Sequence, residues 1–508
     1  MNDMNRRDFL KYSGAGLAGR TLALHLPFLG PRKAFAAVAP NSFTIGVISD
    51  TQNYTDYGFQ ATNPPNNKYF LDQTQYLLDH MNDMNLAFVT HVGDVVQHGD
   101  GTNGSVGDTT YGAGSEWERA KAAMDILASS GVPFGLSIGN HDYDNYSYTA
   151  ANGNHPLKSN VMWKRYFGSG SPYFAGKVWY GGASDDMAIS PGISSYQTFC
   201  AGGKKFLHIS LEMEAGPSAL AWAQSVIDLH KGYATIVTTH DYLSPPSNSD
   251  SSLPLVVAAT RNAASTSYLK YSPTGIAATG TEWNDAQGVW DKFIKLNDQI
   301  FMVLCGHSWG STVGGVSKAE NIRIDNNVAG NPVYQILSDY QGNTKAGSKG
   351  GDGWFRFMEF DMDSNNIHFY TYSILTNNKA GQNGETTFNE APTFSDFSLV
   401  MPTQVLNAPS QFSVDSSGFV YSRATRLYTG TLNVTNASIS AVESPVAVAL
   451  SGLTSGVTLV NSLGLRNGDP YTTVTNSGLA AGASLSIPVQ FSDPSNAKIN
   501  FTPVVFQQ

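Results

Sequence analysis

Phe43-Thr44-Ile45-Gly46-Val47-Ile48-Ser49 is an uncharged apolar run that ends in Asp50-Thr51-Gln52. The reading of this stretch decides the fold. β-Branched and aromatic residues with no polar face describe a strand buried on both sides, and the polar residues behind it mark its carboxyl end. The same phrase recurs down the chain. Leu86–Val92 runs into Gly93-Asp94, Pro133–Ile138 into Gly139-Asn140-His141-Asp142, Ala234–Thr239 into His240-Asp241, and Ile300–Leu304 through Cys305 into Gly306-His307. Phe206–Leu211 adds another apolar run. Between them lie helical patterns. Phe70, Gln73, Tyr76, Leu77, His80, Met81 and Met84 recur at helical spacing, and Pro217–His230 reads as a helix. Ser115-Glu-Trp-Glu118 is a capping box ahead of Trp117, Ala120, Met124 and Leu127. Strands alternating with helices predict an α/β domain with buried sheets.

The strand ends carry the chemistry. Five strands are expected to deliver Asp50, Asp94, Asn140-His141, His240 and His307 to one edge of a sheet, the edge at which open α/β sheets bind ligands. Any one of these histidines alone reads as a hydrogen-bonded structural residue. The ordered set does not. Carboxylate and amide oxygen mixed with imidazole nitrogen suits Mn, Fe, Zn or Co, and the glycines let backbone approach a ligand closely.

The order of these motifs resembles the calcineurin-like metallophosphoesterases over about residues 43–375, in the bacterial branch whose first motif is Asp-Thr-Gln. Trp179-Tyr-Gly-Gly182, Phe301-Met-Val-Leu-Cys-Gly-His307 and Leu337-Ser-Asp-Tyr-Gln341 add to the likeness. The resemblance implies a β-sandwich core flanked by helices, an α/β (α+β) fold. It implies hydrolysis of a phosphomonoester or phosphodiester by metal-activated hydroxide, with one or two transition metals per chain. Asp94 would bridge the metals, Asn140, His240 and His307 would complete the second site, and Asp50 and Gln52 would serve the first. His141 would stand beside the leaving-group oxygen, with Asp142 orienting its ring. Two cations sharing a carboxylate depress the pKa of a shared water and neutralise phosphoryl charge, and a histidine can protonate the departing alkoxide.

The chain departs from that family at two places. Where the last motif normally reads Gly-His-x-His, it has Gly306-His307-Ser308-Trp309, and indole ligates no metal. Gln52 stands where most relatives carry histidine. The second site is therefore expected to be the more secure. Three readings stay open: a two-metal enzyme with a substitute ligand, a one-metal enzyme, and a secreted metal-binding or surface-interaction protein that has lost catalysis. His98, Asp100 and Asp339 are the candidate substitutes. His98 reads as a solvated loop residue, His91 as structural, and Cys305 as a buried apolar residue. A Cys200–Cys305 bridge is left open. The loops Gly99–Gly114, Asn145–Asn160 and Ser244–Thr281 are expected to ring the site, with Tyr143, Tyr146 and Tyr242 offered to substrate.

Composition frames this. The 508 residues carry 30 Lys+Arg against 40 Asp+Glu, a net charge of −10. So acidic a surface does not steer onto a nucleic-acid duplex, and the expected partner is a phosphate-ester small molecule or phosphorylated substrate. All eleven histidines lie between His25 and His368, and the eight tryptophans all precede residue 355. Residues 1–36 resemble a twin-arginine export signal: Arg6-Arg7 precede Phe9-Leu10-Lys11, a weakly apolar stretch follows, and Ala34-Phe35-Ala36 supplies small residues for cleavage. Arg20, His25 and Pro27 argue against a stable membrane anchor. The expected location is periplasmic or secreted. Residues 37–402 form the metallophosphoesterase domain in this reading, and 403–508 an immunoglobulin-like sandwich of some seven short strands, suited to spacing or cell-surface contact.

Overall fold

The computed structural model describes residues 41–56, 68–99, 116–144, 160–184, 192–245, 261–262, 284–309, 320–341, 350–375, 377–379, 395–438, 441–442, 445–466 and 468–507. The export signal, Asp100, Tyr146, Ser115 and most of the three long loops lie outside these residues. No helix among the described residues is long and apolar enough to cross a membrane.

Two seven-stranded mixed sheets face each other. In the first, β1 (Ser42–Ile48), β2 (Leu86–His91) and β3 (Phe134–Leu136) run parallel. In the second, β6 (Lys204–Ser210), β7 (Ala234–Thr238), β8 (Ile300–Cys305) and β10 (Pro332–Ser338) run parallel. Antiparallel strands fill the margins: β11 (Trp354–Asp361) and β12 (Asn366–Ser373) beside β1, with β13 (Asn378–Lys379) and β14 (Asp396–Val400) pairing β12. Across the second sheet, β4 (Tyr180–Ala183) and β5 (Ser195–Ala201) lead into β6, and β9 (Glu320–Asn326) closes the far side.

Alternation along each strand explains the layering. Phe43, Ile45 and Val47 point inward against Phe206, Ile236, Met302, Leu304 and Ile336, and Met358, Phe360, Ile367 and Phe369 extend the same core. Each such fully buried side chain contributes about 1.5–3 kcal/mol. The opposite faces take the helices. Leu207, Ile209, Val237, Val303 and Val333 pack under the helices Pro217–Leu229 and Ala286–Lys292. The helices Tyr69–His80 and Glu116–Ser129 cover the first sheet, the latter burying the expected Trp117, Ala120, Met124 and Leu127. The first of these stops before Met81 and Met84, because Asn85 turns at φ 45° and Leu86 N–H returns to the Met81 carbonyl.

Sequence placed the ligand-bearing strand ends on one sheet edge. They come instead from two sheets, three from the first and two from the second, and meet where the carboxyl ends of both parallel sets face one another.

Nine strands follow between Phe412 and Gln507, in a five-stranded and a four-stranded sheet. Phe412, Leu432, Val434, Val446, Val448, Ile487, Val489 and Phe491 share their core. Val405 and Ala408 still belong to the front core. Lys204 Nζ donates to the Leu406 carbonyl at 2.6 Å, Lys205 N–H to Pro409 at 2.9 Å, and Arg466 pairs with Asp363 at 2.7 Å. Cys200 sits opposite Lys205 at the amino end of β6, whereas Cys305 ends β8, so the two thiols lie at opposite edges of one sheet and both are free.

Candidate metal centre

The motif glycines are required by packing. A Cβ on Gly139 would overlap Asp94 Oδ1, and one on Gly306 would overlap Asp50 Oδ2. The chain thus clears space at one strand end for the side chain delivered by another. Asp94 and His307 themselves adopt φ of 53° and 69°, a region that L-residues seldom occupy and that concentrates at functional sites.

Asp94, His240 and His307 each bring one ligand atom within 4.8 Å of the others. His240 Nε2 lies 3.2 Å from Asp94 Oδ2, 3.1 Å from Asn140 Oδ1 and 3.3 Å from His307 Nδ1, and the last is 2.7 Å from Asn140 Oδ1. All four side chains expected at the second site therefore converge. The other ring nitrogens are held from behind. His240 Nδ1 donates to the Val92 carbonyl at 3.1 Å, and His307 Nε2 is 3.8 Å from Asp241 Oδ2, a buried oxygen with no hydrogen-bond partner. Such outer support fixes ring orientation in metal sites.

Asp50 and Gln52 stand alongside. Asp50 Oδ1 accepts the His307 N–H at 3.1 Å and its Oδ2 the Ser49 hydroxyl at 3.0 Å. Gln52 Nε2 donates to Asp94 Oδ2 at 2.9 Å, while its Oε1 is buried without a hydrogen-bond partner. Orphaned buried acceptors beside converging imidazoles fit a cation, since an acceptor removed from water needs a donor or a positive charge. Electrostatics agree. Burial would push His240 down, but Asp94, then Asp50 and Asp142, hold it up at about 10. Asp94 is held well below the carboxylate range, with burial opposed by His240, His141 and His307. Burial raises Asp50 to about 6, with the His240 charge opposing. A cation among these ligands would take over the charge compensation that the carboxylates draw from His240.

His141 lies at the rim. Its N–H donates to Asp94 Oδ1 at 2.8 Å and its Nδ1 to the Gln97 carbonyl at 3.0 Å. Asp142 was expected to orient this ring; its described hydrogen bonds go elsewhere. Asp142 Oδ1 accepts Val96 N–H at 3.0 Å and Oδ2 accepts Gly139 N–H at 2.8 Å, so both oxygens tie the two loops together, and the Gln97 carbonyl orients His141.

His98 is not a solvated loop residue. It is 15% exposed, 2.6 Å from the buried Glu116, whose other oxygen accepts the Gln97 and His98 N–H groups. Tyr143 and Tyr242 are fully buried, which removes them from substrate contact. His91 is structural as read: it is buried, 3.0 Å from Thr51 Oγ1, accepts from Gly93 N–H, and is pushed down to about 3 by burial and the His240 charge. Trp309 is 49% exposed and lies off the ring of ligands. Asp241, Glu116 and the Val92 and Gln97 carbonyls were missed from sequence. Only Asp241 carried a signal, as the residue following His240.

A stretch of 364 residues is 25% identical to the uncharacterized protein YvnB of Bacillus subtilis (strain 168), covering 71% of this chain and 22% of that protein. Among solved structures the chain is similar to GAP50, the anchor in the inner membrane complex of Plasmodium, at 12% identity and a TM-score of 0.33, over 69% of this chain and 90% of that one. It is also similar to the chitin-binding domain of Chi18aC from Streptomyces coelicolor, at 19% identity and a TM-score of 0.14, over 18% of this chain and 90% of that domain. The family model of the calcineurin-like phosphoesterases matches residues 43–311, just over half of the sequence. With its strand-end motifs in that order and their side chains gathered at one point, this chain belongs to the calcineurin-like phosphoesterase family.

Proposed function

We propose that the chain is an exported, metal-dependent phosphoesterase acting on a phosphomonoester or phosphodiester. The observation that carries this is the convergence of Asp94, Asn140, His240 and His307, with His141 beside them at the rim. Cations bound there supply an activated water and neutralise charge on the phosphoryl oxygens. Asp94, placed between Gln52, His141 and His240, would be the carboxylate shared by both cations. His141 has its tautomer fixed by the Gln97 carbonyl, so Nε2 exchanges the proton and protonates the departing alkoxide. Asp142 keeps the Asp94 and His141 loops in mutual register.

The strand-rich tail is read as an immunoglobulin-like sandwich that spaces the enzyme or contacts a surface. Residues 1–36 are read as the export address. Changing Arg6 and Arg7 to lysine is expected to leave the precursor in the cytoplasm; unchanged export, followed by cell fractionation, would remove that part of the reading. The rival, a secreted metal-binding protein without activity, draws its support from Trp309 in place of an imidazole.

The deciding assay offers p-nitrophenyl phosphate and bis(p-nitrophenyl) phosphate to the purified chain in Mn or Fe, with and without EDTA. Hydrolysis that EDTA abolishes is expected. With metal limiting, occupancy should rise with pH. His240 binds its proton below about 10, a cation must displace it, and each pH unit then favours the metal about tenfold per proton released. A chain that binds metal and leaves every ester intact is the rival.

A further inference from the structure

Asp339, one of the three substitutes the sequence left open, is fully buried. It follows β10, whose parallel register with β8 pairs Leu337 with Cys305, so Asp339 stands level with His307 at the same sheet edge. The Ser49 hydroxyl joins it to the site: this oxygen is 3.0 Å from Asp50 Oδ2 and 2.9 Å from the Ser338 carbonyl, and it accepts the Tyr340 N–H at 3.4 Å. Asp50 and Asp339 are thereby held as neighbours in the interior. Each carries a desolvation cost that a cation between them would relieve. The donors that reach Asp339 are neutral, Gln341 N–H at 3.1 Å and Gln341 Nε2 at 3.3 Å. On the Asp50 segment, Gln52 Oε1 is a buried acceptor without a partner, on an amide whose nitrogen donates to Asp94 Oδ2.

From this arrangement we infer that Asp339 completes the first cation site, in place of the imidazole that Trp309 does not provide, and makes that site all-oxygen. The inference rests on the phosphoesterase reading of the centre. Its ligands would be Asp50, Gln52, Asp339 and the shared Asp94, against Asp94, Asn140, His240 and His307 at the second. The two sites then differ in chemical hardness. Carboxylate and amide oxygens suit Mn or Mg, whereas two imidazoles suit Zn or Fe. The centre is built to hold two different metals.

Rigidity supports the assignment. Tyr340 donates its hydroxyl to Glu320 at 2.8 Å, and Glu320 is paired with Arg356, both buried. The residue following Asp339 is therefore anchored in a charged network, which fixes where the carboxylate can stand. Trp309 is exposed and needs no place in the ligand set.

The test is metal counting on the purified full chain, stripped and then given one equivalent of zinc per chain with manganese in excess. Wild type should retain about one zinc and about one manganese per chain. Asp339→Asn should keep the zinc and lose the manganese, and the retained zinc shows that the variant is folded. Trp309→Ala should keep both. If Asp339→Asn retains manganese, or if wild type holds zinc alone, the assignment of Asp339 is overturned while the second site stands. A wild-type chain that retains no metal of either kind overturns this inference together with the phosphoesterase reading. Electron paramagnetic resonance gives an independent readout: manganese alone, added in excess, should give a spin-coupled pair in wild type and an isolated ion in Asp339→Asn.

Discussion

Asp94→Ala is expected to empty the centre of metal and to lower kcat/KM for any phosphate ester by about three powers of ten, the equivalent of several kcal/mol of transition-state stabilisation. Asp94 is packed against two other candidate ligands and the rim histidine. Its oxygens contact Gln52 Nε2, His141 N–H and His240 Nε2, and it is 1% exposed. Its loss also removes the charge that holds His240 protonated, leaving a buried imidazole that burial pushes toward neutrality. The His141 N–H loses its acceptor, at a cost of about 1–3 kcal/mol, so the variant should also melt earlier. Metal analysis and steady-state kinetics on the same preparation separate the effects. Activity within tenfold of wild type would place the chemistry elsewhere. Asp142→Asn provides the contrast. The described hydrogen bonds of Asp142 tie Val96 and Gly139, so its effect should fall on stability before it falls on proton transfer.

The strands and their polar ends were legible because both are local. An uncharged run such as Phe43–Ser49 has one way to bury itself, and the residue that follows must lie at its edge. What was not legible is pairing between distant segments. Asp50 and His307 are 257 residues apart and hydrogen-bonded. No spacing in the sequence says that β1 and β8 belong to different sheets facing across one core. The same limit explains Asp142, whose neighbour in sequence is His141 but whose oxygens accept the N–H groups of Val96 and Gly139. It explains His98 as well: Glu116 read as part of a helix start, yet its carboxylate is turned back to hold the 97–98 backbone. Sequence found the ligands, since those sit on the motifs, and missed the groups behind them, which are set by tertiary contact. In the tail, long strands such as Leu427–Asn436 and Ser484–Ser492 carry their own β-propensity, while the two- and three-residue strands Thr458–Leu459 and Gly464–Arg466 exist only through their partners.

Arg356→Met is expected to destabilise the metal-free chain by about 3–5 kcal/mol, the cost of leaving a buried carboxylate without its counter-charge. Glu320 and Arg356 are both essentially inaccessible to water and lie 2.5 Å apart. Glu320 further accepts the hydroxyls of Tyr340, Thr371 and Ser395, so its charge is spread over one cation and three neutral donors. Removing the arginine leaves the carboxylate with the hydroxyls alone, and it must take up a proton or draw in water. Replacing both partners, as Glu320→Leu with Arg356→Met, should cost much less than the sum of the single changes, because no charge then remains to be solvated. Urea unfolding of the four proteins in EDTA completes the cycle; additive losses would mean that the pair is not coupled. The functional consequence follows from Tyr340. With Glu320 unpaired, the anchor next to Asp339 loosens, and a carboxylate displaced by even a small distance ligates poorly. The single variant should therefore lose manganese affinity relative to wild type while keeping its zinc affinity. Loss of both metals in equal measure would show that the network supports the whole sandwich and not the first site in particular.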